Sequence, residues 1–351
     1  MGDPEPSKLK IVYCKTRKGR GYLKYDFHSH GSPHKMNSNL FWETKKEFAS
    51  KYDVNFEDFG RPASKSREEN VKQAISMFNT VFSVMRDNTE FVKYLSGRLI
   101  GLGESVPEKI EKCIINPDKE FKYQNLFNVD NLPESLFEAP GNNAPNRAGF
   151  SKYASYINSL AEKKLGRPLF LAMSADLSDS TNISGFAKGY DVFVEKGFYD
   201  KTSNKESPLF PQGITEFTNS GMIAGACTVN FSDQPYDSYS GFYGAMSTYG
   251  SFSYLKYGPL RLYSQLAQDS ELKVGKIIWV VSHSGPETAE DSRTHYGIFA
   301  LGVTQLFPNG SIINVHPWEH NEVAPSLTAA LKTDIPIVAI HLTRPSILIP
   351  D

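Results

Sequence analysis

From about residue 147 to the C-terminus, helix-type and strand-type segments alternate, and this restricts the fold more than any other feature of the chain. Short apolar runs at 168–173, 240–246, 276–282, 311–315 and 335–340 have the length of buried strands. Periodic segments at 150–165, 216–228, 250–268, 293–306 and 321–332 read as helices between them. Strands joined through helices pair in parallel, with helices covering both faces. The expected fold is therefore α/β, a doubly wound and mostly parallel sheet over residues 147–351. In such sheets a ligand lies beyond the carboxyl ends of the strands. The loops Ser174-Ala175-Asp176 and Ser282-His283 follow strands directly, so both belong on that rim.

The N-terminal part reads differently. Residues 8–17 suggest a strand, followed by the turn Lys18-Gly19-Arg20-Gly21. Residues 40–52 suggest a short helix. Ser66 and Glu69 form a capping box that opens a helix to about Leu99, with Val71, Ala74, Ile75, Phe78, Val81, Phe82 and Met85 at helical spacing. Residues 100–146 are rich in Pro and Asn and read as irregular. The expected organisation is a first segment 1–39, a helical linker region 40–146, and the α/β domain 147–351.

Composition removes several functions. A net charge of −1 offers no basic excess for nucleic acid. No apolar run reaches the roughly 20 residues that a membrane helix needs. MGDPEPSKLK lacks the apolar core of a secretory signal. Cys14, Cys113 and Cys227 are odd in number and far apart, which points to a reducing, cytoplasmic setting without disulfides. Aromatic residues reach 13%, enough for a large aromatic core or for rings around a heteroaromatic ligand.

Two segments carry chemistry. In Gly213-Ile214-Thr215-Glu216 a carboxylate stands ahead of a run of small residues. It either satisfies a helix N-terminus or takes part in proton chemistry. In Ser282 to His295, His283, Asp291 and His295 fall close together beside Glu287 and Glu290. Between them lies the aromatic stretch Ser247-Thr248-Tyr249-Gly250-Ser251-Phe252-Ser253-Tyr254-Leu255.

Together these segments resemble the pyrimidine-binding domain of transketolases, thiamine diphosphate enzymes that move two-carbon ketol units between sugars. The resemblance covers about 8–35 and 147–345. It implies that Glu216 activates the cofactor from its aminopyrimidine side and that Tyr249 and Phe252 hold that ring. It implies that Asp176 and Leu177, in Ser174-Ala175-Asp176-Leu177, line the cofactor cleft. His283, Asp291, His295 and Ser180 would contact a sugar phosphate. Ser29-His30-Gly31-Ser32-Pro33 looks like the loop ending the family's diphosphate-binding domain, which makes His30 a further catalytic candidate.

The chain also departs from the family pattern. No Gly-Asp-Gly motif is present, so the Mg²⁺ ligands belong outside this chain. The family's two phosphate-binding arginines lack counterparts by motif; Lys152 and His316 stand nearest. The resemblance therefore implies a fragment or subunit, inactive alone, whose homodimer or complementary partner carries the diphosphate and Mg²⁺ site. An E1-type 2-oxoacid dehydrogenase component is the alternative enzyme. A catalytically silent subunit of the same fold is the alternative of a different class.

Overall fold

The structure is a computed structural model that describes residues 15–25, 29, 34–102, 115, 121–175, 177–190, 207–210, 214–292, 294–297 and 300–351. The chain divides into two compact units, Met1–Glu104 and Ser105–Asp351. His30 and Asp176 lie outside the described residues. So does the strand expected over 8–17, apart from 15–17, which are not strand.

The first unit is helical. Helix α1 (Asn39–Tyr52) starts where Ser38 accepts the Phe41 amide and stops at Asp53, in left-handed conformation. Helix α2 (Arg67–Asp87) starts at Ser66, whose hydroxyl accepts the Glu69 amide. The single helix expected from Ser66 to Leu99 is broken in two. Asn88 leaves helical geometry, and its side chain accepts the Phe91 amide at 2.9 Å, so it caps α3 (Thr89–Leu102). Asn is a weak helix former and a strong cap, and here the cap wins. Trp42, Phe56 and Met77 make a small core.

The second unit contains β1 (Asn143–Ala144), α4 (Asn146–Leu165), β2 (Phe170–Ser174), β3 (Leu209–Phe210) and α5 (Glu216–Thr228). These are followed by β4 (Tyr243–Tyr249), α6 (Tyr257–Asp269), β5 (Ile277–Ser282) and α7 (Ala300–Thr304). Then come β6 (Ile312–Val315), α8 (Val323–Lys332), β7 (Ile337–His341) and β8 (Ile347–Leu348). Six strands form one wholly parallel sheet in the order β3-β2-β4-β5-β7-β6. β1 and β8 pair antiparallel at the side. The chain steps outward from β2 to β3 and returns to lay β4 on the other side of β2. That reversal creates a crevice at the carboxyl ends.

Alternate residues of the strands feed two cores. Ala245, Ile278, Val280, Val338 and Ile340 face α4 and α8. Met246, Trp279, Val281 and Ala339 face α5 and α6. Every strand residue of β5 is buried, as expected for a parallel strand covered on both sides.

Within the span 40–146, Asn39–Leu102 carries three helices and 121–146 is folded differently. Three short 3-10 turns at Tyr123–Leu126, Val129–Asn131 and Glu134–Leu136 belong to the second unit. Tyr123, Leu126, Phe127 and Leu136 are buried in its larger core. Buried Arg167 donates to the Tyr123 hydroxyl at 2.6 Å and to the Gly241 carbonyl at 3.0 Å, which ties this segment to the sheet. The helix expected over 250–268 is a 3-10 stretch, Gly250–Lys256, running into α6.

Candidate active site

Leu177, Ser180, Tyr249, Phe252 and His283 follow or end β2, β4 and β5 at their carboxyl ends. Glu216 is the first residue of α5 and only 6% exposed. A carboxylate at a helix N-terminus is favoured by the exposed amides there. Thr248, near the end of β4, donates its hydroxyl to Glu216 Oε1 at 3.2 Å. Helix α5 packs directly on Gly244 of β4. A methyl group at that position would stand 2.4 Å from Ile223 Cγ2 and 2.8 Å from Cys227 Sγ.

One residue beyond Thr248, Tyr249 places its ring 3.9 Å from the His283 imidazole at an interplanar angle of 54°. His295 presents its ring edge-on to Tyr249 at 5.7 Å and to Phe252 at 5.2 Å. Tyr249, Phe252, His283 and His295 therefore form one aromatic cluster. Its geometry suits edge contacts between rings with opposed quadrupoles. Tyr254 points away and is exposed. His295 is further fixed by Ser292 Oγ, 2.6 Å from its Nδ1.

His283 follows β5 directly and adopts a left-handed backbone, φ 51°, which is uncommon for a side-chain-bearing residue and is found at functional sites. Its ring is 1% exposed. Gly297 makes room for this bend, since a methyl group there would meet the His283 carbonyl oxygen at 2.5 Å. His283 Nε2 lies 3.0 Å from both Arg147 Nη1 and the Ser180 carbonyl oxygen, so it accepts from one or donates to the other according to tautomer. Nδ1 is buried and has no partner among the described residues. Burial, then the charges of Arg344 and Arg147, hold this imidazole neutral, with its pKa lowered to about 4.

Arg147 is the residue that motif reading missed. It sits in the first turn of α4 and also donates to the Ser180 carbonyl at 3.1 Å. Lys152, the nearest candidate by motif, pairs instead with Glu138 Oε1 at 2.7 Å. Five residues along a helix turn the side chain roughly 140° away, so Arg147 and Lys152 serve different faces of α4. His316 stacks on His341 at 4.1 Å.

Asp291 is held by Nη1 and Nη2 of Arg344, and this hydrogen-bonded ion pair lowers its pKa. Arg344 Cζ also lies 5.7 Å from the Tyr249 ring. Leu177 and Ser180 belong to a tight loop after β2. The Leu177 amide donates to Ser174 Oγ, and Ser174 accepts from Ser247 Oγ of β4 at 2.8 Å.

A second residue that sequence reading missed lies behind Glu216. Lys256 is completely buried and donates to Asn219 Oδ1 at 3.0 Å. Asn219 Nδ2, Ser251 Oγ and Ser253 Oγ are buried without partners among the described residues. Among those residues no group of three or more His, Cys, Asp or Glu side chains could hold a metal ion. Among the described residues no helix is long and apolar enough to cross a membrane.

Comparison with known proteins gives the fold an independent footing. The pyrimidine-binding domain of transketolase matches residues 153–348. No curated protein matches the sequence. Among solved structures, a transketolase from Pichia stipitis in complex with sedoheptulose-7-phosphate is 18% identical, with a TM-score of 0.51. The alignment covers 95% of this chain and 42% of that one. Transketolase from Leishmania mexicana is 15% identical with a TM-score of 0.49, covering 90% of this chain and 39% of that one. The chain thus spans about two fifths of the length of these transketolases. With the parallel sheet, the buried Glu216 and the matched span in place, the chain belongs to the transketolase pyrimidine-binding domain family.

Proposed function

We propose that this chain supplies the pyrimidine side of a thiamine diphosphate site used for ketol transfer. The observation that carries this reading is the buried Glu216 carboxylate, which accepts from Thr248, the residue before Tyr249 in β4. The residues present fit the aminopyrimidine ring. A buried acid accepts from Thr248, and the buried polar atoms Asn219 Nδ2, Ser251 Oγ and Ser253 Oγ have no partner among the described residues. Glu216 would take the distal ring nitrogen, with Tyr249 and Phe252 packing on the ring. When bound, the cofactor supplies the electron sink for cleaving and forming the carbon–carbon bond.

The remaining residues orient a polar substrate. Arg147 and neutral His283 would take the anionic end of a sugar phosphate, with Ser180 fixing their spacing through its carbonyl. Arginine's planar fork matches a phosphate better than the lysine that motif reading chose. His295, edge-on to Tyr249 and Phe252 and held by Ser292, would meet a donor hydroxyl. Phe217 and Met222 on α5, Leu262 on α6, and Ile214 and Leu255 just ahead of those helices are exposed. An apolar patch of this kind suits a partner subunit, which in this reading brings the diphosphate and Mg²⁺ site and shields the cleft from water.

The test is ketol transfer by the assembly of this chain with the segment or subunit carrying the diphosphate site. Wild-type assembly should transfer a two-carbon unit from a ketose phosphate to an aldose phosphate. Glu216→Gln should lower turnover by about 10²-fold or more, the usual weight of a positioned proton-transfer group. An assembly that binds no thiamine diphosphate, or loses nothing in Glu216→Gln, overturns the reading.

A further inference from the structure

We propose that Arg344, in the segment that leaves β7, is a positioning residue that sets Asp291 as a fixed acceptor for the hydroxyl groups of a sugar phosphate. The inference rests on the reading that the crevice takes such a substrate, and it adds the part that selects hydroxylated ligands.

Three successive residues after β7 tie the parts of the site together. The Leu342 carbonyl accepts from the Ser284 amide at 3.0 Å and from Ser284 Oγ at 3.1 Å, one residue beyond His283. The Thr343 amide donates to Asn146 Oδ1 at 2.9 Å, at the start of α4 and next to Arg147. The Arg344 amide donates to Glu287 Oε1 at 3.0 Å. Its guanidinium reaches Asp291, Nη1 donating to Oδ1 at 3.0 Å and Nη2 to Oδ2. Arg344 Cζ also lies 5.7 Å from the centre of the Tyr249 ring, which meets both His283 and His295. Arg344 therefore holds the loop after β5 at two acids and lies against the last residue of β4.

A bidentate arginine fixes the plane of a carboxylate as well as its place. Asp291 follows a short 3-10 turn, Pro286–Glu290, rather than a strand or a long helix, so its direction depends on what its side chain meets. An ionised carboxylate has about four lone-pair sites, and a bidentate guanidinium uses two of them. Two remain, and the Asp291 side chain is 30% exposed, so a ligand can reach them. An ionised carboxylate only accepts hydrogen bonds; it takes hydroxyl donors and repels phosphate. The work is divided accordingly, with Arg147 facing the anionic end of the ligand and Asp291 its hydroxyls. A lysine at 344 would keep the positive charge and lose the planar fork.

The experiment is calorimetric binding of ribose 5-phosphate and of n-pentyl phosphate, which lacks the hydroxyls, to the full assembly. The proteins are wild type, Arg344→Lys, Arg344→Met, Asp291→Ala and the double variant Arg344→Met/Asp291→Ala. Wild type should prefer ribose 5-phosphate, and each single variant should cut that preference by about tenfold, the weight of a hydrogen bond to a charged group. The double variant should lose no more than either of its parents, because both act through one contact. Binding of n-pentyl phosphate should hold in Arg344→Lys, which keeps the charge. A preference that survives in Arg344→Lys overturns the proposal, as do equal losses for both ligands or losses that add in the double variant. Should Arg344→Met not fold, Arg344→Lys combined with Asp291→Ala completes the same cycle. The expected pattern in an assembly that takes up no thiamine diphosphate leaves this inference standing and removes the cofactor reading. Ketol transfer by an assembly whose preference ignores Arg344 does the reverse, and a wild type that binds neither phosphate removes both.

Discussion

Replacing His283 with Asn should flatten part of the acid instability of this protein. Asn is the substitution of choice because position 283 has φ 51°, a left-handed conformation that Asn tolerates better than most side chains. In the folded chain His283 takes a proton only near pH 4, because the ring is 1% exposed and faces Arg344 and Arg147. In the unfolded chain it titrates near 6.5. Above pH 6.5 both states are neutral at this position and it contributes no pH dependence. Between 6.5 and 4 only the unfolded chain binds the proton, so stability falls with falling pH. The slope is about 1.4 kcal/mol per pH unit, which over this window totals roughly 3 kcal/mol. Buried His341, whose pKa is lowered to about 3, adds an acid loss of its own, but it does so equally in both proteins. Urea unfolding followed by near-ultraviolet circular dichroism, at pH steps from 7.5 down to 4.5, gives both stability curves. The wild-type curve should drop toward the His283→Asn curve by roughly 2–3 kcal/mol across this range. Parallel curves would refute the reasoning, since they would mean that His283 takes its proton equally in the folded and unfolded chain.

Three further outcomes follow from the same geometry. Arg147→Ala removes a cation facing His283, so the His283 imidazole midpoint should move to higher pH by NMR, and inorganic phosphate should bind more weakly by calorimetry. Gly244→Ala forces a methyl group against Ile223 and Cys227 and should cost about 1–3 kcal/mol, read as a lower Tm. Asn158→Ala strands the Phe170 amide and the Phe170 and Phe186 carbonyls, which its side chain now serves, and should cost about 3 kcal/mol in urea unfolding.

The sheet was legible because its strands are short continuous apolar runs, and burial on both faces demands just that pattern. Ile277–Ser282 and Ile337–His341 fall where the runs lie. Two-residue β3 carries too few positions to show a period. The break at Asn88 was hidden because the apolar spacing of α2 continues into α3, while a single side-chain cap decides the interruption. Glu216, His283 and His295 stood out through their motifs; in the structure His283 and His295 both meet the Tyr249 ring, and Glu216 accepts from Thr248. Arg147 was not, because a motif search by residue type settled on Lys152 while helix phase selects the residue that faces the crevice. Lys256 was hidden for another reason. Sequence alone treats lysine as a surface residue, and only the packing of α5 and α6 around the turn encloses it.

Strand β4 joins these parts in a way that leaves the site little room for piecemeal adjustment. Ser247 holds the loop after β2, Thr248 holds Glu216, and Tyr249 carries the imidazole of His283, in three successive residues. Successive strand residues point to opposite faces, so a slip by a single position would reverse all three contacts at once. The site therefore behaves as one mechanical part with few independent settings. Sequence change that retunes its specificity should accumulate in the surrounding loops and helix starts, and β4 itself should tolerate almost none.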